Sequence, residues 1–464
     1  MPPTFRFLHV TDRHCGAHDH QRSWETHRGQ FFEDLKWCLD EHPLDAVFFT
    51  GDIANRAQIP EYLQATRNLC ELHQVLMKRS VQRNHPIYLI VVPGNHDVVR
   101  QNKGRIEDAR RIEAQKLLAS AEERHRFSSN PFHPFREHIR EFFSNYVDWA
   151  EQVHSQTKFE KPGSGDNLPL MFPGEGSYTI PIGPYRIGII GLNSACLHFY
   201  DCKPKDLLIT KQQVENVTKD PSVWHLHHQV HVLLTHHPVS WIHESEQIQT
   251  YLSQQFHLHL SGHMHESRGG VVRRFGARQD HYQLIGRSLI SQRHFEIENG
   301  EKNNPLLYMG YTLGEIRFPE LYTAPRADLC VMARRFFQSS DGHCLLASDP
   351  AISTEPVKNL PGTRHATTAP QPINFDSRVV QVTCKIVEDE ITSTYFVQFD
   401  KAIPGKYLVY DYICPDGQIE RTEIPIDQKP HPIRPTDLID HPQTVDWVLI
   451  VYDDPRPLAR NSGL

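Results

Sequence analysis

The chain has 464 residues, 39% of them hydrophobic and 23% charged, which is room for about two or three soluble domains with a sizeable core. Its 49 basic and 56 acidic residues leave a formal charge of −7. That excludes a whole-chain positive field and confines any nucleic-acid contact to a local patch. Nine cysteines, an odd number with no C-x-x-C pair, argue against a disulfide framework or a cysteine zinc site and for a reducing, cytoplasmic setting. MPPTFRFLHV runs straight into a strand-like segment without a leader pattern. No apolar run approaches the roughly 18–20 residues of a membrane span. The 31 histidines raise a sharper question: whether a subset falls where metal chemistry needs it.

Taken in chain order, short apolar runs end in small or polar clusters. TFRFLHV leads into TDRHCG, DAVFF into TGDIAN, IYLIVV into PGNHD, RIGIIG into LNSA, HVLL into THHPVSW and FHLHL into SGHMHES. These are strand signatures. Between them, residues 31–42 and 60–79 carry helical spacing, the second opening on Pro60. Strands alternating with helices predict an α/β domain with a largely buried sheet, whose ligands gather at loops beyond the strand C-termini.

Residues 100–160 read as a helical insertion. Phe135, Ile139, Phe142, Phe143, Tyr146 and Trp149 predict one amphipathic helix, and 106–121 another. The stretch 100–126 holds eight basic and five acidic residues. It reads first as a solvated helix face and second as a basic lid over a phosphorylated substrate. Strand-like pieces after SGHMHES are expected to complete a second sheet. Residues 354–373, with four prolines and little apolar content, predict a linker. Residues 374–455 alternate as strands and predict a separate small all-β domain. Over 374–464 the balance is 15 acidic to nine basic, which suits docking to protein or self-association better than nucleic acid.

The strand ends carry the chemistry. Asp12 and His14 follow the first strand and Asp52 the second. Asn95, His96 and Asp97 follow the third. His236 and His237 follow a later one, and His263 and His265 the next. A single such pair is commonplace. Carboxylate, amide and imidazole blocks after successive strands of one predicted sheet are not. Without a cation, so many aspartates and histidines gathered together would carry heavy desolvation and repulsion costs. Oxygen and nitrogen ligands without thiolates suit divalent manganese, iron, zinc or magnesium.

These blocks resemble the calcineurin-like metallophosphoesterase superfamily: D-x-H at Asp12-Arg13-His14, G-D at Gly51-Asp52, G-N-H-D at Gly94–Asp97, H-H-P at His236–Pro238 and G-H-x-H at Gly262–His265. The resemblance covers about residues 4–350 and implies a two-sheet β-sandwich flanked by helices, over a domain of 1–350. It implies two divalent ions, manganese first among iron, zinc, nickel and magnesium. Asp12, His14 and His265 would hold one, Asn95, His236 and His263 the other, and Asp52 both, with His237 the alternative to His236. Two such ions supply a hydroxide nucleophile and neutralise phosphate oxygens during in-line displacement. His96 is then the expected general acid, with Asp97 holding its ring or merely capping the loop. No P-loop, dinucleotide fingerprint or nucleophile elbow is present.

G-N-H-D with G-H-x-H is similar to phosphodiesterase and nuclease branches, whereas serine/threonine phosphatases carry G-D-x-x-D-R-G and G-N-H-E. The expectation is a phosphodiesterase acting on a nucleotide or nucleic acid. A phosphomonoesterase or nucleotidase is the alternative, and a non-catalytic scaffold is a third reading.

Overall fold

The computed structural model describes residues 3–39, 43–80, 86–99, 105–164, 170–200, 202–272, 281–293, 306–318, 326–338, 344–349 and 352, and seven strands between 373 and 450. The chain opens with β1 (Thr4–Val10), α1 (His18–Cys38), β2 (Ala46–Thr50), α2 (Ile59–Ser80) and β3 (Tyr88–Val92). The three strands run parallel. α2 lies where 60–79 is expected. α1 starts well before residue 31. Its early turns bury only Ser23 and Trp24, too sparse a face for apolar spacing to reveal.

Four helices form the insertion: α3 (Arg105–Ala119), α4 (Ala121–Ser129), α5 (Pro134–Phe142) and α6 (Ser144–Thr157). The single helix expected over 135–149 is two. Phe143 closes α5, its N–H shared by the carbonyls of Arg140 and Glu141, and α6 begins at the next residue. The apolar stripe crosses the break intact, so Phe135, Ile139, Phe142, Phe143, Tyr146 and Trp149 are all buried. That continuity hides the break from periodicity. α6 lies on α2, where Trp149 stacks on Tyr62 at 5.3 Å and its indole N–H donates to Thr66.

β4 (Gly163–Ser164), β5 (Gly176–Ile182), β6 (Tyr185–Gly191), α7 (Lys211–Thr218), α8 (Pro221–Leu226), β7 (Val230–Leu234), α9 (Ser245–Gln255), β8 (Leu258–Ser261), β9 (Arg268–Val272) and β10 (His281–Ile285) follow. Their strands form a seven-stranded sheet, β4-β5-β6-β7-β8-β10-β9. β6, β7, β8 and β10 are parallel within it. After the short pair β11 (Ser291–Arg293) and β12 (Leu306–Tyr308) come β13 (Gly310–Arg317), β14 (Arg326–Gln338), β15 (Cys344–Ser348) and β16 (Ile373–Asp376). Of the strands after SGHMHES, only β9 and β10 join the second sheet. β13 pairs antiparallel with β1 instead, Thr4 opposite Arg317. The first sheet becomes β15-β14-β13-β1-β2-β3, with β16 on β14.

Strand alternation then sets the layers. Leu8, Val10, Val47, Phe49, Leu89 and Val91 face α1 and α2, packing with Trp24, Phe31, Leu35, Leu69 and Leu72. Phe5, Phe7 and Phe48 pack together from the alternate positions. Tyr185 of β6 stacks on Phe318 at 4.3 Å, so the two sheets meet. The far side of the second sheet, with Ile190 and Leu233, lies under Val214, Ile248 and Leu252 of α7 and α9. Each large side chain so buried contributes about 1.5–3 kcal/mol. The result is the sandwich flanked by helices.

The chain divides into two compact units, Met1–Phe318 with Ala327–Asp376, and Pro319–Arg326 with Ser377–Leu464. Residues 374–376, expected to open the accessory domain, therefore belong with the first sheet. The expected linker residues 354–372 lie outside the described residues. The described part of the second unit is all strand: β17 (Gln381–Asp389), β18 (Thr394–Phe399), β19 (Tyr407–Ile413), β20 (Ile419–Pro425), β21 (His431–Ile433) and β22 (Trp447–Ile450). β21-β18-β17-β22 form one sheet, and β19 and β20 pair separately.

Candidate metal centre

The loops after β1, β2, β3, β7 and β8 meet in one place. They are stitched by backbone hydrogen bonds: Asp12 N–H to Gly51 O, His14 N–H to Asp52 O, and Gly262 N–H to His236 O, each 2.9–3.0 Å. Asp12, His14, Asp52, His263 and His265 all adopt left-handed backbone, with φ between 47° and 68°. Such conformations cost about 1–3 kcal/mol each and concentrate at functional sites, with Asp and His among the residues that tolerate them best. Two motif glycines have a steric reason. A Cβ at Gly94 would lie 2.2 Å from the Asp52 carboxylate, and one at Gly262 1.9 Å from Thr11 Oγ1.

The side chains converge accordingly. Asp52 Oδ2 lies 3.8 Å from His14 Nε2 and 3.4 Å from His236 Nε2. Asp12 Oδ1 lies 3.4 Å from His265 Nε2 and 3.9 Å from His14 Nε2. Asn95 Oδ1 lies 3.0 Å from His236 Nε2 and 3.1 Å from His263 Nδ1. Thus all seven expected ligands come together, with Asp52 between the two groups. His237 keeps a ring nitrogen within 4.8 Å of those of His236 and His263 and so stays the alternative, but His236 turns towards Asp52 and Asn95. Its Nδ1–H donates to Thr50 O at 2.7 Å, which aims Nε2 at Asp52 and Asn95. The His237 ring instead meets Ser194 Oγ and His198, each at 3.1 Å.

These residues fit divalent cations. Asp12 Oδ1 and both ring nitrogens of His14 are buried without a hydrogen-bond partner, an arrangement that needs a ligand in compensation. Burial pushes the His14 ring down to about 3 and the His263 ring to about 4, so both present neutral lone pairs. Burial also opposes charge on His236, yet Asp52 and Asp12 beside it prevail and hold the ring up at about 9. Both carboxylates stay below their usual range against burial, through the surrounding imidazoles. The cage thus favours positive charge at its centre, and its oxygen and nitrogen donors suit divalent ions.

His96 borders the cage, half-buried, its ring 4.5 Å from that of His14. Its backbone N–H donates to Asp52 Oδ1 at 2.8 Å. Asp97 does not hold its ring. The His96 Nδ1–H donates to the Asn55 carbonyl at 2.8 Å. The Asp97 carboxylate accepts N–H groups of Ile53, Ala54 and Gly94 and the Tyr62 hydroxyl. Burial, with Asp52 nearby, pushes it up to about 6. Three backbone donors outcompete one imidazole, and Asp97 ties the loops after β2 and β3 together.

Residues 5–267 match the family model for calcineurin-like phosphoesterases. The chain belongs to that family. It is a metal-dependent phosphoester hydrolase. A comparison with curated proteins finds no match. Solved structures similar to this phosphoesterase include GAP50, the anchor in the inner membrane complex of Plasmodium, at 10% identity and a TM-score of 0.34, covering 74% of this chain and 86% of that one. A 5'-nucleotidase precursor from Thermus thermophilus shows 13% identity and a TM-score of 0.31, covering 68% and 52%. Vps29 from Chaetomium thermophilum shows 8% identity and a TM-score of 0.24, covering 74% and 96%.

Several supports of the phosphoesterase site carry no sequence signal. Thr11 Oγ1 donates to Asp12 Oδ2 at 2.7 Å, and Ser288 Oγ to the Asp12 carbonyl at 2.8 Å. Asn55, Tyr62 and Thr50 act from distant positions. Arg13, between two expected ligands, turns away to lie over the Trp24 ring and bond Gln21. In the insertion, Arg110 faces Glu141, Arg124 faces Glu244, and Arg126 faces Glu122 and Glu123. These three arginines are thus paired with carboxylates, while Arg100 and Lys103 of the same stretch lie outside the described residues. Among the described residues, no helix is long and apolar enough to cross a membrane.

Proposed function

We propose that this phosphoesterase cleaves phosphodiester bonds of a nucleotide or nucleic acid. The observation that carries the reading is the half-buried His96 beside an unbroken ligand set. Attack on a diester breaks one P–O ester bond and expels that oxygen as an alkoxide, which needs a proton, and His96 can deliver it from Nε2 while the Asn55 carbonyl holds Nδ1–H. Asp12, His14 and His265 would hold one ion, Asn95, His236 and His263 the other, and Asp52 both. When bound, two such ions, manganese first among them, supply a nucleophilic water and neutralise phosphoryl oxygens. Asp97 acts as a positioning residue, keeping the His96 loop against Asp52. Buried Cys15 and Cys196, present as thiols, support a reducing, cytoplasmic setting.

With manganese added, bis-p-nitrophenyl phosphate is expected to turn over faster than p-nitrophenyl phosphate. Faster monoester turnover would favour the nucleotidase reading. No hydrolysis with manganese, nickel, zinc or magnesium would favour the scaffold.

We assign the second unit to docking of a protein partner or to self-association, on its strand composition and net acidity. Removing residues 377–464 should leave bis-p-nitrophenyl phosphate hydrolysis intact and change the oligomeric state or partner binding. Light scattering and pull-down read the change. Loss of metal binding on truncation would show that the unit supports the site instead.

A further inference from the structure

We propose that Trp241 is the surface on which the substrate's nucleobase stacks. The inference rests on the phosphodiesterase reading and names the group that the site recognises beyond the phosphate.

Among the described residues, the cage is exposed at three of its side chains. Asp12, His14, Asp52, Asn95 and His236 are buried, whereas His96, His263 and His265 are partly exposed. A phosphate therefore enters over those three imidazoles. Trp241 stands at that opening. It is half-buried, and its ring lies 4.2 Å from the His263 ring at 84°. It is also 5.9 Å from the ring of His237.

Its backbone is pinned. Trp241 closes the short helical turn Val239–Trp241, its N–H bonds to Pro238 O at 3.0 Å, and its carbonyl accepts Lys205 N–H at 2.9 Å. The side chain packs on the cluster that includes Ile190, Leu233 and Ile242. An aromatic ring fixed in this way loses little freedom when a ligand covers its remaining surface. Every nucleobase has a π-face, and stacking on one indole is worth about a tenfold gain or more in affinity irrespective of base. A phosphate held beside His263 leaves the base attached through its sugar within reach of the neighbouring indole.

Calorimetry on the manganese-loaded full chain tests this without relying on turnover. Deoxyadenosine 5'-monophosphate and 2-deoxyribose 5-phosphate carry the same phosphate and sugar and differ only by the base. Wild type should bind the nucleotide about tenfold more tightly. Trp241→Ala should remove most of that preference, and Trp241→Phe should retain it. Equal weakening of both ligands by Trp241→Ala would overturn the proposal, since that marks a ring that merely braces His263. An unchanged preference in Trp241→Ala, or binding of neither phosphate by wild type, would overturn it too. Base preference without phosphodiester hydrolysis would sink the phosphodiesterase reading alone, whereas hydrolysis without base preference would sink only the role of Trp241.

Discussion

Replacing Asp52 with Asn should lower phosphoester hydrolysis about a thousandfold or more and erase the protein's thermal response to divalent ions. The carboxylate sits between the two ligand groups, 3.8 Å from His14 and 3.4 Å from His236. An amide keeps the shape and can still accept the His96 N–H, but it removes the shared negative charge. Removing one group that stabilises charge in a water-excluded site typically costs about 10²–10³ in rate. Here the same change also weakens both ions, so the loss should reach or exceed the upper figure. An ion that binds only the folded state stabilises it by about 2.7 kcal/mol at a hundredfold excess over Kd. Wild type should therefore gain several degrees in Tm on adding manganese, and Asp52→Asn should gain little. A retained Tm gain, or activity within tenfold of wild type, would remove Asp52 from the bridging position.

His96→Ala should behave differently. Its effect should depend on the leaving group. Alanine keeps the backbone N–H that holds Asp52, so the cage geometry survives. What goes is the ring beside His14 to which we assign the proton transfer. For a diester that expels an alkoxide, kcat should fall by about 10²–10⁴. For bis-p-nitrophenyl phosphate, whose leaving group is stable as an anion, it should fall only a few-fold. A ring nitrogen of His96 does lie within 4.8 Å of ligand atoms of His14 and Asp52. Manganese affinity by calorimetry decides whether His96 is a ligand. Unchanged affinity with a leaving-group-dependent rate assigns it as the acid, whereas lost affinity and a uniform rate loss would make it a ligand.

The cage was readable in the chain because each ligand sits at fixed spacing after a strand, and strand-ending loops of parallel sheets converge. That much marks the blocks around Asp12, Asp52, Asn95, His236 and His263, while the choice of Asp12, His14, Asp52, Asn95, His236, His263 and His265 as the expected ligands came from the resemblance to the family. The residues that orient them were not readable, because they act through backbone atoms. Asn55 reaches His96 by a carbonyl, as does Thr50 to His236. Any residue type offers that group, so composition carries no trace of it. For Asp97 the sequence left two roles open, holding the His96 ring or capping the loop, and the folded loop takes the second, setting three N–H donors around the carboxylate. At the level of the fold, β13 could not be assigned to the first sheet, since pairing with β1 depends on a contact between distant segments. Nothing in the sequence singles out Trp241, which only the fold brings to His263.

The left-handed turns at Asp12, His14, Asp52, His263 and His265 also bear on how this chain can drift. At each of them glycine would relieve backbone strain worth about 1 kcal/mol or more, while destroying a ligand. At Asp12 and Asp52 that relief is opposed, because the carboxylates accept Thr11 Oγ1–H and His96 N–H and a glycine would leave those donors without that acceptor, at about 1–3 kcal/mol for a buried one.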